Sequence, residues 1–206
     1  LIDLTVKEFA DETSRESPAP GGGTISAYMG ALGAALGTMV ANLSSHKAGW
    51  DARWEEFSNW ANKGQAIQSE LMVLVDEDTE AFNRIMSAFG LPKESAEEKT
   101  ARSMAIQEAT LFATEVPLHT MQASYKVFEL CRAMAEEGNP NSVSDAGVGV
   151  LAARAAVLGA GLNVKINASG LKDKQKAEQL VSEANILINK ANEAEKEIMK
   201  IVETKL

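Results

Sequence analysis

Residues 51–90 read DARWEEFSNWANKGQAIQSELMVLVDEDTEAFNRIMSAFG. Within them Phe57, Trp60, Gly64, Ile67, Leu71, Leu74, Phe82, Ile85 and Phe89 advance by threes and fours, the spacing at which side chains share one face of an α-helix. The pattern predicts a single helix on the order of 50 Å long at 1.5 Å per residue, with one packing stripe. Asp78 falls inside that stripe, four residues after Leu74 and four before Phe82, whereas Glu77 and Glu80 lie off it. An ionised carboxylate among apolar neighbours is costly unless it is paired, hydrogen-bonded or turned into a pocket. Asp78 is therefore either a structural acid with a partner or a residue of a site.

Working outward towards the N-terminus, TISAYMGALGAALGTMVANL (Thr24–Leu43) carries no charge over 20 residues, the nominal length of a membrane span. Its alanine and glycine content, its polar flanks and the lack of a second such stretch favour a buried helix and no membrane partner. Gly30, Gly33 and Gly37 recur beside Ala27, Ala31, Ala34, Ala35 and Ala41, so one face is nearly bare backbone. Thr24 or Ser26 is the expected N-cap. Before it, SPAPGGG (Ser17–Gly23) reads as a structured turn, and Leu4–Ser14 as a short amphipathic helix ending before Pro18.

On the other side, Gly90, Leu91 and Pro92 break the long helix. Glu94–Glu137 is again helical, with a stripe running from Met104 to Ala135, but Pro117 in its middle means either a kink or two closely joined helices. His119 just beyond it is expected to be a hydrogen-bonded core residue. After the loop EEGNP, with Asn141, Ser142 or Ser144 as cap, Val143–Val164 forms a second small-residue helix through Ala146, Gly149, Ala153, Ala156 and Ala160. The two small-residue faces pack either on each other or on symmetry mates. Ile166–Gly170, INASG, reads as irregular, and Lys172–Leu206 as a last long helix. No segment shows strand-like alternation. The expected fold is all-α, a single-domain bundle of long helices over residues 1–206, with the small-residue helices central or at a dimer interface.

Composition narrows the function. Twenty-nine acidic against 20 basic residues give a net charge of −9, and a pI near 4.9 argues against nucleic-acid or anionic-membrane partners. One cysteine, Cys131, excludes an intrachain disulfide, and the opening LIDLTVKEFADE has no secretory pattern, so a cytoplasmic location is expected. PAPGGG is not followed by the GK[ST] of a phosphate loop, and HExxH, CxxC and GxSxG are absent. His46 and His119 stand 73 residues apart with no matching third ligand, so no metal site is expected. What remains is polar: Asp78, Asp145 at a helix start, Asn139, Asn141, Asn163 and Asn167, and the basic pair His46 and Lys47.

Four blocks together carry a resemblance: SPAPGGGTISAYMGALGAALGTMVANL, VDEDTEAFNRIMSAFGLPK, ATEVPL at Ala113–Leu118, and GNPNSVSDAGVGVLAARAAVLGAGLNVKIN at Gly138–Asn167. They resemble the formiminotetrahydrofolate cyclodeaminase and methenyltetrahydrofolate cyclohydrolase family over nearly the whole chain. The resemblance implies an all-helical homodimeric enzyme acting on a tetrahydrofolate derivative, with no metal or nucleotide cofactor. It looks most like free-standing bacterial cyclohydrolases, which convert 5,10-methenyltetrahydrofolate to 10-formyltetrahydrofolate. The alternatives are cyclodeamination of formiminotetrahydrofolate with release of ammonia, and an inactive helical scaffold. On this reading Asp78 and Asp145 are the catalytic acids. Gly21, Gly22 and Gly23, with Lys47, Asn163 and Asn167, surround the substrate. His46 and Lys47, with Lys165 in reserve, are the expected cations for its acidic tail. One departure stands out: where the family commonly has a threonine- and lysine-rich segment ending in tyrosine, this chain has SSHKAGWDARW.

Overall fold

A computed structural model of the protein describes residues 1–17 and 19–206; Pro18 of the SPAPGGG turn lies outside the described residues. Six α-helices follow one another: α1 (Val6–Thr13), α2 (Gly22–Ser45), α3 (Trp54–Phe89), α4 (Ala96–Glu137), α5 (Val143–Ala168) and α6 (Lys174–Glu203), with no strand among the described residues. The five long helices contribute to one hydrophobic core.

The stripe on α3 is real, but it winds. Phe57, Gly64 and Leu71 are buried at seven-residue intervals, and so are Ile67, Leu74, Ala81 and Ala88. This is the 3.5-residue period of helices that coil about their neighbours. The expectation of burial at Phe82 and Phe89 is corrected accordingly: Phe82 is half-buried and Phe89 is 52% exposed, because the seven-residue series through Ile67 and Leu74 continues to Ala81 and Ala88, one position before each phenylalanine. Asp78 continues the Phe57, Gly64, Leu71 series at the next seven-residue step. Small Ala81 beside it leaves space where a larger side chain would fill the core.

Helices α2 and α5 pack directly on each other and run antiparallel, with Gly22 beside Asn163, Ser26 beside Gly159, and Gly33 beside Gly149 and Ala153. A Cβ on Gly33 would stand 2.8 Å from the Gly149 carbonyl oxygen, so the two backbones touch and alanine would force them apart. Each interior glycine costs about 1 kcal/mol of helix propensity, and this contact is the return. The sequence allowed these faces to pack on each other or on symmetry mates; they are consumed inside the chain. Both helices are long and apolar enough to cross a membrane by length and composition, which corrects the expectation that only one such stretch exists; about half or more of each apolar window is buried against other helices.

Helix α4 is one helix through Pro117, although a proline in a helix interior costs about 3 kcal/mol relative to alanine. Its start is capped by Ser95, whose hydroxyl accepts from the Glu98 N–H while Glu98 accepts from the Ser95 N–H. The first turns stand clear of the core, so Met104 is 69% exposed rather than part of the stripe, and His119 faces solvent rather than the core. Helix α5 continues to Ala168, through the first three of the five residues expected to be irregular. That extension sets Asn163 and Asn167 one turn apart on one face of a helix.

Candidate functional site

The N-terminus of α2 lacks a cap of its own. Gly21 occupies the N-cap position with no side chain to accept, while Thr24 and Ser26, the expected caps, lie inside the helix. The acceptor comes from α3. Asp78 receives the Thr24 hydroxyl at 2.8 Å, in the first turn of α2. Gly23 makes this approach possible, since a Cβ there would fall 2.1 Å from Asp78 Oδ1, inside the carboxylate. The acid in the apolar stripe therefore has a structural partner and also borders a cavity. Burial pushes its carboxyl above the ordinary aspartate value, against the smaller opposing effect of Thr24.

The cavity has a volume of about 130 Å³ and is walled by Gly21, Gly22 and Gly23, by Asp78, Ala81 and Phe82 of α3, by Ala113 of α4, and by Asn163 and Asn167 of α5. Both asparagines use one amide N–H within the fold. Asn163 Nδ2 donates to the Gly159 carbonyl at 3.1 Å, and Asn167 Nδ2 donates to the Ala113 carbonyl at 2.6 Å. Each therefore retains Oδ1 as an acceptor and a second N–H as a donor. With the Asp78 carboxylate, three acceptors stand around one small space. Such a lining favours a ligand that brings N–H donors or positive charge. Grooves of about 610 Å³ between α3 and α4, and about 580 Å³ between α5 and α6, are larger but lie open on the surface.

Six of the eight residues chosen from the sequence thus meet: Asp78, Gly21, Gly22, Gly23, Asn163 and Asn167. Asp145 and Lys47 do not join them within one chain. Asp145 is in the first turn of α5, roughly 27 Å along the axis from Asn163 at 1.5 Å per residue. Lys47 follows the far end of α2, roughly 36 Å from its glycine end by the same rise, where its ammonium lies 4.0 Å from the Trp50 ring centroid. His46 sits at that end too. A sequence pattern that placed both helices correctly could not say which ends came together around Asp78.

Beyond the apolar wall, two residues that hold the polar side chains of the site were missed by sequence reasoning. Thr24 holds Asp78 through its hydroxyl, and Ala113 supplies the carbonyl that orients Asn167. The signal for the second was present, because Ala113 stands four residues before Pro117 and so lacks a helical donor. Cys131 is fully buried, and its thiol is pushed up to about 12, which leaves no thiolate for nucleophilic chemistry at neutral pH. No group of three or more His, Cys, Asp or Glu side chains that could hold a metal ion occurs among the described residues.

Comparison with known proteins adds identity to this geometry. A family profile described as formiminotransferase-cyclodeaminase matches residues 5–186. A methenyltetrahydrofolate cyclohydrolase of Methylorubrum extorquens is 39% identical over 202 residues, covering 98% of this chain and 97% of that protein. The formimidoyltransferase-cyclodeaminase of Rattus norvegicus is 32% identical over 185 residues, 88% of this chain but only 34% of the longer relative. Among solved structures, formiminotetrahydrofolate cyclodeaminase from Thermotoga maritima superimposes with a TM-score of 0.87 at 26% identity, covering 98% of both chains.

Proposed function

This chain belongs to the formiminotransferase-cyclodeaminase family, and from that premise we propose that it is a folate enzyme hydrolysing 5,10-methenyltetrahydrofolate to 10-formyltetrahydrofolate. The single observation that carries the cyclohydrolase reading is the 39% identity to a methenyltetrahydrofolate cyclohydrolase over nearly the full length of both proteins. The cavity chemistry agrees with it. The substrate's methenyl carbon lies between two nitrogens that share a positive charge, and three acceptors suit that charge and the N–H groups of the attached ring.

In the reaction, water attacks the methenyl carbon and Asp78 takes one of its protons, later released to solvent. The second proton passes from the hydroxyl of the tetrahedral adduct to the departing ring nitrogen as the carbon–nitrogen bond breaks and the formyl carbonyl forms. Asp78, partly desolvated and held by Thr24, is matched to this role because its raised pKa makes it a better base than a carboxylate in water. The Asn163 and Asn167 oxygens hold the ring, and Gly21–Gly23 bring backbone to its edge. A cavity of about 130 Å³ is smaller than the roughly 300–1,000 Å³ of sites that enclose whole drug-sized ligands, so the reacting ring enters and the rest of the folate stays outside.

The acidic tail then needs a cation near the mouth, in a protein of net charge −9. Lys165, on the α5 segment that carries the two asparagines but turned towards the α5–α6 groove, is the candidate at the cavity end of the molecule and takes that role in place of Lys47, which stands at the other end. The protein acts as a homodimer. With the glycine faces spent inside the chain, the apolar surface for it is on the same two helices: Leu32, Met39 and Leu43 of α2, and Leu151, Leu162 and Ile166 of α5 are exposed. Light scattering should return about twice the 22.0 kDa chain mass.

The second reading is cyclodeamination of formiminotetrahydrofolate, favoured by the close structural likeness to the Thermotoga maritima cyclodeaminase. Incubation of purified protein with each substrate in turn separates the two. Loss of the methenyl chromophore without ammonia supports hydrolysis. Appearance of that chromophore with ammonia from the formimino compound would transfer the assignment to deamination.

A further inference from the structure

Pro117 and Asn167 are 50 residues apart in sequence and meet at one atom. Pro117, buried in the middle of α4, has no N–H, so the Ala113 carbonyl four residues earlier has no i+4 helical donor. Asn167 Nδ2 occupies that carbonyl at 2.6 Å, from another helix. A carbonyl can face only the nitrogen of an amide, so this bond settles which way Asn167 is turned and leaves Oδ1, with the second amide N–H, unspent on a residue that lines the cavity. Asn163 is held differently: its Nδ2 shares the Gly159 carbonyl with its own helical N–H, a bond contained within α5.

We infer that Pro117 is a positioning residue for the reaction: by withholding its N–H it reserves the Ala113 carbonyl for Asn167, and so fixes an acceptor towards the ring of the substrate. The inference deepens the folate reading of the cavity and rests on it. It explains a costly residue in mid-helix by its effect on a neighbouring helix. It also defines what Asn167 reads, an N–H donor on the bound heterocycle.

Substitution of Pro117 by alanine returns an N–H to the Ala113 carbonyl and sets it in competition with Asn167. Three variants, Pro117→Ala, Asn167→Ala and the double variant, are compared with the parent for methenyltetrahydrofolate hydrolysis and for melting temperature. Pro117→Ala should melt at or above the parent temperature, because a helical hydrogen bond is gained, yet raise KM roughly five- to tenfold with a smaller change in kcat. Asn167→Ala should raise KM at least as much, and the double variant should be no worse than Asn167→Ala alone, since one contact is lost in each case.

A Pro117→Ala variant with parental kinetics, or effects that multiply in the double variant, would overturn the inference while leaving the cavity reading intact. Parental kinetics for Asn167→Ala would remove the cavity assignment itself. Failure of both Pro117→Ala and Pro117→Ser to fold would also overturn it, by showing that the proline serves the shape of α4 rather than Asn167.

Discussion

The α2–α5 pair has two ends built from the same kinds of residue, and only one of them makes a site. At the far end the Asn139 N–H donates to Ser44 Oγ at 2.8 Å, and the Ser44 hydroxyl donates to the Val40 carbonyl at 2.6 Å. Ser44 is fully buried, and both its donor and an acceptor lone pair are used. At the glycine end Asp78, Asn163 and Asn167 each make a holding bond and keep acceptor capacity beside a cavity. Polar side chains beside small-residue helices therefore do not define a site. Unspent hydrogen-bonding capacity facing open space does, because a ligand can use what the fold has not already used.

The contrast is tested most severely by Asp78→Asn. Turnover should fall by roughly 10²- to 10⁴-fold, the range for loss of a general base, while the melting temperature at neutral pH should stay level or rise. The sign follows from the raised pKa: the folded state holds the Asp78 proton more tightly than the unfolded chain, so the ionised residue opposes folding above its folded pKa. That opposition fades as pH falls through the folded pKa, and the stability difference between parent and variant should shrink with it. A sharp drop in melting temperature at neutral pH would make Asp78 mainly the cap of α2.

Ser44→Ala is the mirror experiment at the far end. It leaves the Asn139 N–H without its acceptor in a part-buried setting and should cost about 1–3 kcal/mol in denaturant unfolding, with kcat and KM unchanged. Altered kinetics in this variant would join the two ends functionally.

Thr24→Val removes a donor that lowers the Asp78 pKa, so that pKa rises further. The acid limb of the pH–rate profile, where activity falls as Asp78 becomes protonated, should move to higher pH, with several-fold loss on the acid side and little at alkaline pH. An unmoved limb would assign it to another group.

The smallest effect concerns the two lysines. Lys165→Ala should raise KM for polyglutamylated substrate about two- to threefold at low salt, and Lys47→Ala should not change it; added salt should abolish the Lys165 effect. The opposite ranking would bring the far end of α2 into substrate binding.

Much of this architecture is legible without coordinates. The 3.5-residue repeat on α3, the break at Gly90–Pro92, the small-residue faces and the lone acid in an apolar line are local patterns, and local patterns suffice for helix number, helix faces and the oddity of Asp78. The burial of Ala81 and Ala88 in place of Phe82 and Phe89 was masked in the sequence, because two bulky phenylalanines dominate an apolar pattern although the seven-residue step from Ile67 and Leu74 lands on the alanines. The continuation of α5 through Asn167 was also hidden, since a short polar INASG segment carries weak helical preference and its helical form is held by packing of Val164 and Ala168 in the core.

The sequence by itself determined that long helices form, which of their faces are apolar, that Asp78 must find a partner, and which family the chain resembles. Only the tertiary structure decided that α2 and α5 run antiparallel, and hence that Gly21–Gly23 meet Asn163 and Asn167 while Lys47 and Asp145 are carried to the opposite end. The physical reason is one of range. Helix formation and amphipathic pattern are fixed within a few turns of chain, whereas the direction in which two smooth, glycine-lined helices pack is set by the connections and by the whole core around them.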